Sequence, residues 1–369
     1  MNMNHQNTYL FRDILERIEV PVNVEPDKEY VQIGIRSHGK GLFYKEPVLG
    51  KILGNKQVFW IQPNCFILNV VFAWEQAVTK TTENEIGMIG SHRFPMYRPK
   101  NDLVDIDYLI YYFLTKRGTD ILEAASPGGA GRNRTLGQER FLKSKITLPT
   151  LSEQQKIAAI LSTQDKVIEL KEKLLVQKQQ QKKYLMQQLL TGKKRLSGFN
   201  EKWRFAKLEN VSKYSASAAS FKTYESHLGC GPYPVYDASG CFGNIDFYEN
   251  EQPYISIVKD GAGAGRVALC KEKSSTIGTL GCIFANDIDL LYLFYCMSAV
   301  DFQIYSNGST IPHVYYKDYK NMVLYLPCEL EQKAIVEILS ATDHEIDLLQ
   351  KSIEAEKQKK KALMQLLLT

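Results

Sequence analysis

The sequence predicts an α+β protein with two globular domains of mixed helix and strand. Each domain is followed by a long helix, and the two helices pair as an antiparallel coiled coil. Residues 148–191 and 326–369 align without a gap at an offset of 178, with 21 of 44 positions identical. Apolar residues recur at heptad spacing in both copies, and short β-type runs separated by turn residues precede each copy. Repetition at a fixed period indicates two half-molecules joined head to tail.

Both copies of the repeat carry the start signals of a helix. Leu-Pro opens each copy, and Glu153 and Glu331 follow in the first turn, where an acid suits the helix dipole. No Gly or Pro interrupts either copy afterwards. The apolar residues at heptad spacing, which we call the seam, are Ile157, Leu161, Ile168, Leu175, Leu185 and Leu189 in the first copy and Ile335, Leu339, Ile346, Leu349, Ile353, Leu363 and Leu367 in the second.

Polar residues interrupt the seam at the same place in both copies: Lys178 and Lys182 in the first, Glu356 and Lys360 in the second. A helix of about 40 residues is a rod of roughly 60 Å, and its single apolar stripe needs a partner. The duplicate helix is one partner, and an antiparallel pair would place the two domains at opposite ends. The alternative is that each helix packs on its own domain. The basic runs at 177–183 and 357–361 are either a solvated face or a strip facing phosphates or a partner protein.

The repeat also predicts the domain boundaries. We expect a first globular domain, a long helix, a linker, a second globular domain and a second long helix, at residues 1–147, 148–191, 192–202, 203–325 and 326–369. The two domains are similar in size but share little sequence. Unlike domains on a repeated spacer indicate two different recognition tasks at a fixed separation.

Composition limits the class of protein. The net charge of +5 permits a nucleic-acid partner without demanding one. The seven cysteines show no C-x-x-C spacing, which favours free thiols in a reducing cytoplasm. The N-terminus has no signal-peptide pattern, and the longest apolar run, residues 65–74, is too short to cross a bilayer. These features predict a cytoplasmic protein without a membrane partner.

Motifs for catalysis and cofactors are weak in this sequence. Residues 34–41 approach a P-loop, but Gly41 stands where magnesium binding needs Ser or Thr. Gly261, Gly263 and Gly265 follow a strand, yet no apolar-periodic helix comes next, so a hairpin fits better than a dinucleotide site. The sequence contains no adenine-methyltransferase motif, and its six histidines are not paired at metal spacing. We therefore predict no cofactor, no metal and no catalytic residue.

Glycine-rich loops with hydrogen-bond donors are the strongest functional signal besides the repeat. Gly lets the backbone approach a ligand closely, and basic and hydroxyl side chains contact phosphates and base edges. The alternative for each residue is a solvated loop position or a turn former. The candidate DNA-binding residues are Arg36, His38, Lys40, His92, Arg93, Arg132 and Arg134 in the first domain and Lys259, Arg266, Ser309, Thr310 and His313 in the second.

With these motifs, essentially the whole chain resembles the specificity (S) subunit of type I restriction-modification systems. The most specific parts are LPTLSEQQKIAAILSTQD with its repeat LPCELEQKAIVEILSATD, and LMQQLLTGKKRL leading to Trp203. The loops SGCFG and GSTIPH in the second domain are also similar to those of the family. The first domain, which begins NTYLFRDIL, departs from the pattern because it lacks an early Trp.

The resemblance implies a non-catalytic DNA-binding subunit. Each globular domain would be a target-recognition domain that reads one half of a bipartite sequence in double-stranded DNA, and the helices would set the gap between the halves. Its partners would be two modification subunits, which methylate adenine with S-adenosylmethionine, and restriction subunits, which cleave DNA. The alternatives are a solitary DNA-modifying enzyme with cryptic motifs and a two-headed adaptor that binds proteins.

Overall fold

The computed structural model describes residues 7–54, 56–128, 134–308 and 311–368. The chain divides into two compact units. Unit 1 contains residues 1–171 together with 353–369, and unit 2 contains residues 172–352. Each unit therefore combines one globular domain with part of each long helix.

The globular part of unit 1 is built on a four-stranded antiparallel sheet of order β2-β11-β8-β9, and β1 pairs separately with β12. Its strands are β1 (Asn7–Leu10), β2 (Leu15–Ile18), β3 (Glu29–Tyr30), β4 (Ile33–Ile35), β5 (Leu42–Tyr44), β6 (Val48–Leu49), β7 (Val58–Trp60), β8 (Phe66–Leu68), β9 (Val78–Lys80), β10 (Ile89–Ser91), β11 (Met96–Pro99) and β12 (Lys145–Leu148). Its helices are α1 (Phe11–Ile14), α2 (Gly50–Leu53), α3 (Ile106–Phe113), α4 (Lys116–Ala125) and α5 (Gln138–Lys143).

Aromatic rings from distant segments form the centre of the unit 1 core. Phe11 stacks on Phe141 with ring centroids 4.7 Å apart, and Phe66 stacks on Phe113 at 5.4 Å. All four are fully buried. Leu161, from the first long helix, is buried in the same cluster, so the helix and the globular domain share one core.

The first long helix is α6 (Leu151–Leu189), and the elements of unit 2 follow it. The main sheet of unit 2 is antiparallel, with order β14-β20-β17-β18, and β13 pairs with β23. Its strands are β13 (Arg204–Lys207), β14 (Ser212–Ser215), β15 (Tyr233–Asp237), β16 (Gly240–Ile245), β17 (Tyr254–Val258), β18 (Val267–Cys270), β19 (Ser275–Thr276), β20 (Leu280–Ala285), β21 (Ser306–Asn307), β22 (His313–Val314) and β23 (Val323–Leu326). Its helices are α7 (Leu208–Val211), α8 (Phe221–Glu225), α9 (Leu290–Ser298) and α10 (Tyr316–Tyr319).

The second long helix, α11 (Glu329–Leu367), contributes to the core of unit 2. Ile335 and Leu339 of α11 are buried in one cluster with Tyr292 and Leu293 of α9 and Ile257 of β17. The long helix and the globular domain thus share a core in unit 2 as well.

The two long helices also pack on each other, and they run antiparallel in both units. In unit 1, Asp165 of α6 pairs with Lys360 of α11, and Lys171 pairs with Glu356, so residue numbers fall along α11 as they rise along α6. In unit 2, Lys178 and Lys182 of α6 pair with Glu345 and Asp343 of α11 in the same sense. The predicted antiparallel pairing is confirmed.

The polar interruption of the seam is part of this pairing. Its four residues, Lys178, Lys182, Glu356 and Lys360, all form ion pairs with the opposite helix. The Lys171 ammonium, and then the Gln164 amide, hold the pKa of the Glu356 carboxyl below its usual value.

The residues of the predicted seam are all buried or half-buried, although the seam itself remains a prediction. Since Leu161 and Leu339 also lie in the domain cores, each helix packs both on its own domain and on the other helix. Among the described residues, no helix is long and apolar enough to cross a bilayer.

Candidate nucleic-acid interface

The turn between β10 and β11 presents two of the predicted residues of unit 1. The Phe94 amide donates to the Ser91 carbonyl, and the Arg93 amide donates to Ser91 Oγ. This closed turn leaves the His92 and Arg93 side chains exposed at the edge of a cleft of about 960 Å³. The cleft is lined by polar and basic groups as well as Phe72 and Phe94, a set that suits a phosphate or the edge of a base.

Two lysines of this cleft, Lys45 and Lys56, were not among the predicted residues. They follow β5 and α2, far in sequence from the β10–β11 turn, and neither lies in a glycine-rich loop. Only the fold shows that they share a cleft with His92 and Arg93.

The hairpin of β4 and β5 presents Arg36, His38 and Lys40. The backbone at His38 and Gly39 is left-handed, with φ of 60° and 62°, so the glycine eases a tight turn. The Arg36 guanidinium donates to the Leu42 carbonyl at 2.6 Å and lies over the Phe43 ring, which ties Arg36 to its own hairpin. His38 and Lys40 are exposed on the turn.

A second cleft, of about 450 Å³, lies against this hairpin. It is lined by Phe43 from β5 and shares Lys45, Asn69, Phe72 and Phe94 with the larger cleft. The hairpin and the β10–β11 turn therefore border adjoining clefts on unit 1. Of the remaining predicted residues, Arg134 lies over the Trp74 ring at 5.4 Å, while Arg132 lies outside the described residues.

In unit 2, two of the predicted loops are joined directly. His313 Nδ1 lies 2.6 Å from the Asp260 carboxylate. The Val314 amide donates to the Lys259 carbonyl, and the Gly261 amide donates to the Pro312 carbonyl. The loop between β17 and β18, which form the predicted hairpin, is thus fixed against the segment that ends at His313.

A third predicted loop, the turn between β15 and β16, joins the same surface. The Arg266 guanidinium donates to the Ala238 carbonyl. Asp237 Oδ1 accepts from the amides of Ser239 and Gly240, and Gly240 has a φ of 128° that a side chain would strain. Unit 2 therefore brings Lys259, Arg266 and His313 together, and Ser309 and Thr310 lie outside the described residues.

An aromatic and a cationic side chain extend this surface. The Tyr315 ring lies parallel to the His313 ring at 5.8 Å, and the Lys317 ammonium lies 5.6 Å from the Tyr315 ring centroid. Tyr315 is 41% exposed, which leaves ring surface for stacking. Neither residue was among the predicted residues, although the run HVYYK next to a glycine-rich loop is a signal in the sequence that could have indicated them.

The chemistry of both surfaces is that of binding. Each combines basic side chains, hydrogen-bond donors and aromatic rings near loops that connect paired strands. Within the described ranges, no group of three or more His, Cys, Asp or Glu side chains is arranged to hold a metal ion.

Comparison with known proteins identifies the family. The model of the type I restriction modification DNA specificity domain matches residues 24–179 and again residues 200–357. The chain belongs to this family. The two matches fall on the two halves related by the repeat, so each half is one specificity domain, and the predicted role as a DNA specificity subunit is confirmed.

A curated relative supports this assignment over most of its length. The specificity subunit named for the type I restriction enzyme MjaX of Methanocaldococcus jannaschii is 26% identical over 299 residues, which are 74% of this chain and 70% of the relative.

Two solved structures share the fold. The S subunit of a type I restriction-modification system from M. genitalium has a TM-score of 0.63 at 15% identity, covering 100% of this chain and 97% of that one. The HsdS subunit from Thermoanaerobacter tengcongensis has a TM-score of 0.53 at 16% identity, covering 98% and 96%. The predicted fold class, two mixed domains with paired long helices, is confirmed.

Proposed function

We propose that this chain is the DNA-recognition subunit of a type I restriction-modification complex in which each unit reads one half of a bipartite DNA sequence. The observation that carries this proposal is the combination of two specificity domains with one repeated helix. The helices are alike at 21 of 44 positions, whereas the loops that carry donors differ. A shared support for unlike loops suits the reading of two different half-sites.

In unit 1, His92 and Arg93 with Lys45 and Lys56 form the proposed reading surface, and His38 and Lys40 flank it. Arg36 donates to the Leu42 carbonyl within the hairpin and stays a candidate for phosphate contacts through its remaining N–H donors. Arg132 and Arg134 stay candidates for phosphate contacts on the same domain.

In unit 2, the loops that carry Lys259, Arg266 and His313, together with Ser309, Thr310, Tyr315 and Lys317, form the proposed reading surface. Phosphate contacts from the basic groups would give salt-dependent affinity, and donors within a groove would give sequence preference.

The paired helices set the gap between the half-sites and dock two modification subunits, which supply the S-adenosylmethionine-dependent methylation of adenine. Restriction subunits complete the complex, and the assembly acts on double-stranded DNA in the cytoplasm. In this assignment the chain itself needs no cofactor and performs no chemistry.

Mapping N6-methyladenine across the genome of cells that carry the chain and its modification subunits tests the proposal. We expect a bipartite methylated motif that disappears when only this chain is deleted. Persistence of every such motif in the deletion strain would contradict the proposed function.

A further inference from the structure

The repeat places the same glutamine at the start of each long helix. In unit 1, Gln154 Oε1 accepts from the Asp105 amide at 2.9 Å, and Gln154 Nε2 donates to the Leu103 carbonyl at 3.0 Å. Asp105 is the N-cap of α3, and the Asp105 side chain accepts a hydrogen bond from the Tyr108 amide. Gln154 is fully buried, so this contact fixes the start of α3 to α6.

Unit 2 repeats this contact. Gln332 Oε1 accepts from the Asp289 amide at 2.9 Å, and Gln332 Nε2 donates to the Pro327 carbonyl at 3.0 Å. Asp289 is the N-cap of α9, whose side chain accepts from the Tyr292 amide. Gln332 lies 178 residues after Gln154 and is buried as well.

A second contact joins the same helices farther along. In unit 1, the Tyr111 hydroxyl of α3 donates to Asp165 Oδ2 of α6 at 2.8 Å, and Lys360 of α11 pairs with Asp165 Oδ1 at 2.5 Å. The Lys360 ammonium also lies 5.5 Å from the Tyr111 ring centroid. Burial, and then the hydrogen bond to Asp165, raise the pKa of Tyr111, so its hydroxyl remains a donor at neutral pH.

Unit 2 repeats this cluster with the roles of the two long helices exchanged. The Tyr295 hydroxyl of α9 donates to Asp343 Oδ2 of α11 at 2.9 Å, and Lys182 of α6 pairs with Asp343 Oδ1. The Lys182 ammonium lies 5.6 Å from the Tyr295 ring centroid. Asp343 and Lys360 follow Asp165 and Lys182 by the repeat offset of 178.

The spacing of the two contacts is the same in both units. Gln154 and Asp165 are 11 residues apart, as are Gln332 and Asp343, and Asp105 and Tyr111 are six apart, as are Asp289 and Tyr295. At 1.5 Å per residue, the contacts lie about 16 Å apart along the long helix. One contact would act as a pivot, whereas two separated contacts fix the angle between the domain helix and the long helix.

We propose that the Tyr111–Asp165–Lys360 and Tyr295–Asp343–Lys182 clusters are positioning residues that fix the angle of each recognition domain on the helix pair, and thereby the gap accepted between the two half-sites. This inference rests on the proposed function. Among the described residues, the pair of Lys178 with Glu345 differs from these clusters because it joins the two long helices to each other and includes no domain helix.

Tyr295→Phe and Tyr111→Phe test this inference, because each removes one hydroxyl and keeps the ring. N6-methyladenine is mapped in cells that carry the chain with its modification subunits, and methylated sites are sorted by gap length. The unmodified chain should show one gap. Each variant should keep both half-site sequences but lose about tenfold of its preference for that gap, as expected for one hydrogen bond to a charged group. Sites with one base pair more or less would then become methylated.

Lys178→Met is the matched control, because it breaks an ion pair of the helices without touching a recognition domain. It should leave the single gap unchanged, even where the melting temperature falls. A single gap in both tyrosine variants would overturn the inference, and so would an equal relaxation by Lys178→Met. If the unmodified chain gave no bipartite motif, the proposed function would fail first, and the inference with it.

Discussion

Units 1 and 2 are alike where the long helices support the domains and unlike elsewhere. Gln154 and Gln332 make the same contacts to an N-cap amide, and the Tyr–Asp–Lys clusters repeat with equal spacing. The exposed donors have no such correspondence: in unit 1 they lie beside a cleft at the β10–β11 turn, and in unit 2 they lie on three joined loops. The comparison indicates that the contacts between the long helices and the domains are kept in both units, whereas the two proposed reading surfaces differ.

One position of the support breaks this likeness. Glu331 is fully buried in unit 2, where it accepts from Arg195 at two atoms, each at 2.8 Å, and from the Trp203 indole at 2.9 Å. Its counterpart in unit 1, Glu153, is only half-buried and accepts from the amide and hydroxyl of Thr150. Trp203, the early Trp that the first domain lacks, thus donates a hydrogen bond to a side chain in the first turn of α11 in unit 2.

The largest loss of stability is expected from substituting the leucines of α6 and α11 that are buried in the two domain cores. Leu161→Ala and Leu339→Ala remove equivalent side chains that are fully buried in units 1 and 2. Each should lower the free energy of unfolding by about 3 kcal/mol, because a cavity remains. Chemical denaturation measures both. A large loss in one variant and none in the other would show that the two supports are not equivalent.

A smaller loss of stability is expected from substituting Glu331, and a still smaller one from substituting Glu153. Glu331→Ala should cost about 2 kcal/mol, because the Trp203 indole and the Arg195 guanidinium lose their buried acceptor. Glu153→Ala should cost much less, since Glu153 bonds to the amide and hydroxyl of Thr150, which lie at the surface. Thermal unfolding of the two variants, compared at one pH, checks this order, and equal losses would remove the asymmetry described above.

A substitution in the proposed reading surface of one unit should weaken binding to one half-site and leave the other unaffected. Arg93→Ala in unit 1 and Arg266→Ala in unit 2 should each weaken DNA binding by about 1 kcal/mol. Each variant should lose affinity for DNA that carries its own half-site and keep affinity for DNA with only the other one. Fluorescence anisotropy with the two half-scrambled duplexes measures this. If both variants weakened binding to both duplexes alike, the assignment of one half-site to each unit would be wrong.

The smallest expected effect is a loss of the stability that one ion pair of unit 1 contributes, as the pH falls. The folded protein holds the pKa of Glu356 below its ordinary value of 4.5, chiefly through Lys171. The ion pair therefore stabilises the fold fully above pH 4.5, and this stabilisation is lost as the pH falls through the lowered value. Melting temperatures of the unmodified chain and Glu356→Gln should differ at neutral pH and converge in acid. A difference that stayed constant with pH would exclude this ion pair as its source.

The long helices could be predicted from the sequence because a heptad pattern extends over 40 residues and occurs twice. The loops of unit 2 could be predicted as well, since glycines and donors lie close together in the sequence near Arg266 and His313. Lys45 and Lys56 could not, because they reach the His92 cleft from separate elements. The contact of Tyr111 with Asp165 could not be predicted from the sequence either, because the two residues are 54 positions apart and no local pattern joins them. Sequence patterns reveal periodic structure and local turns, whereas pairings between distant side chains need the fold.

The length of the paired helices tests the central claim most directly. Four residues inserted after the equivalent positions Lys173 and Lys351 lengthen both helices by about 6 Å, just over one helical turn. At roughly 3.4 Å per base pair, this corresponds to about two base pairs of DNA. Mapping of N6-methyladenine should show the same two half-sites separated by a gap about two base pairs longer. Methylation at the original gap would contradict the claim that the helices set the distance between the half-sites.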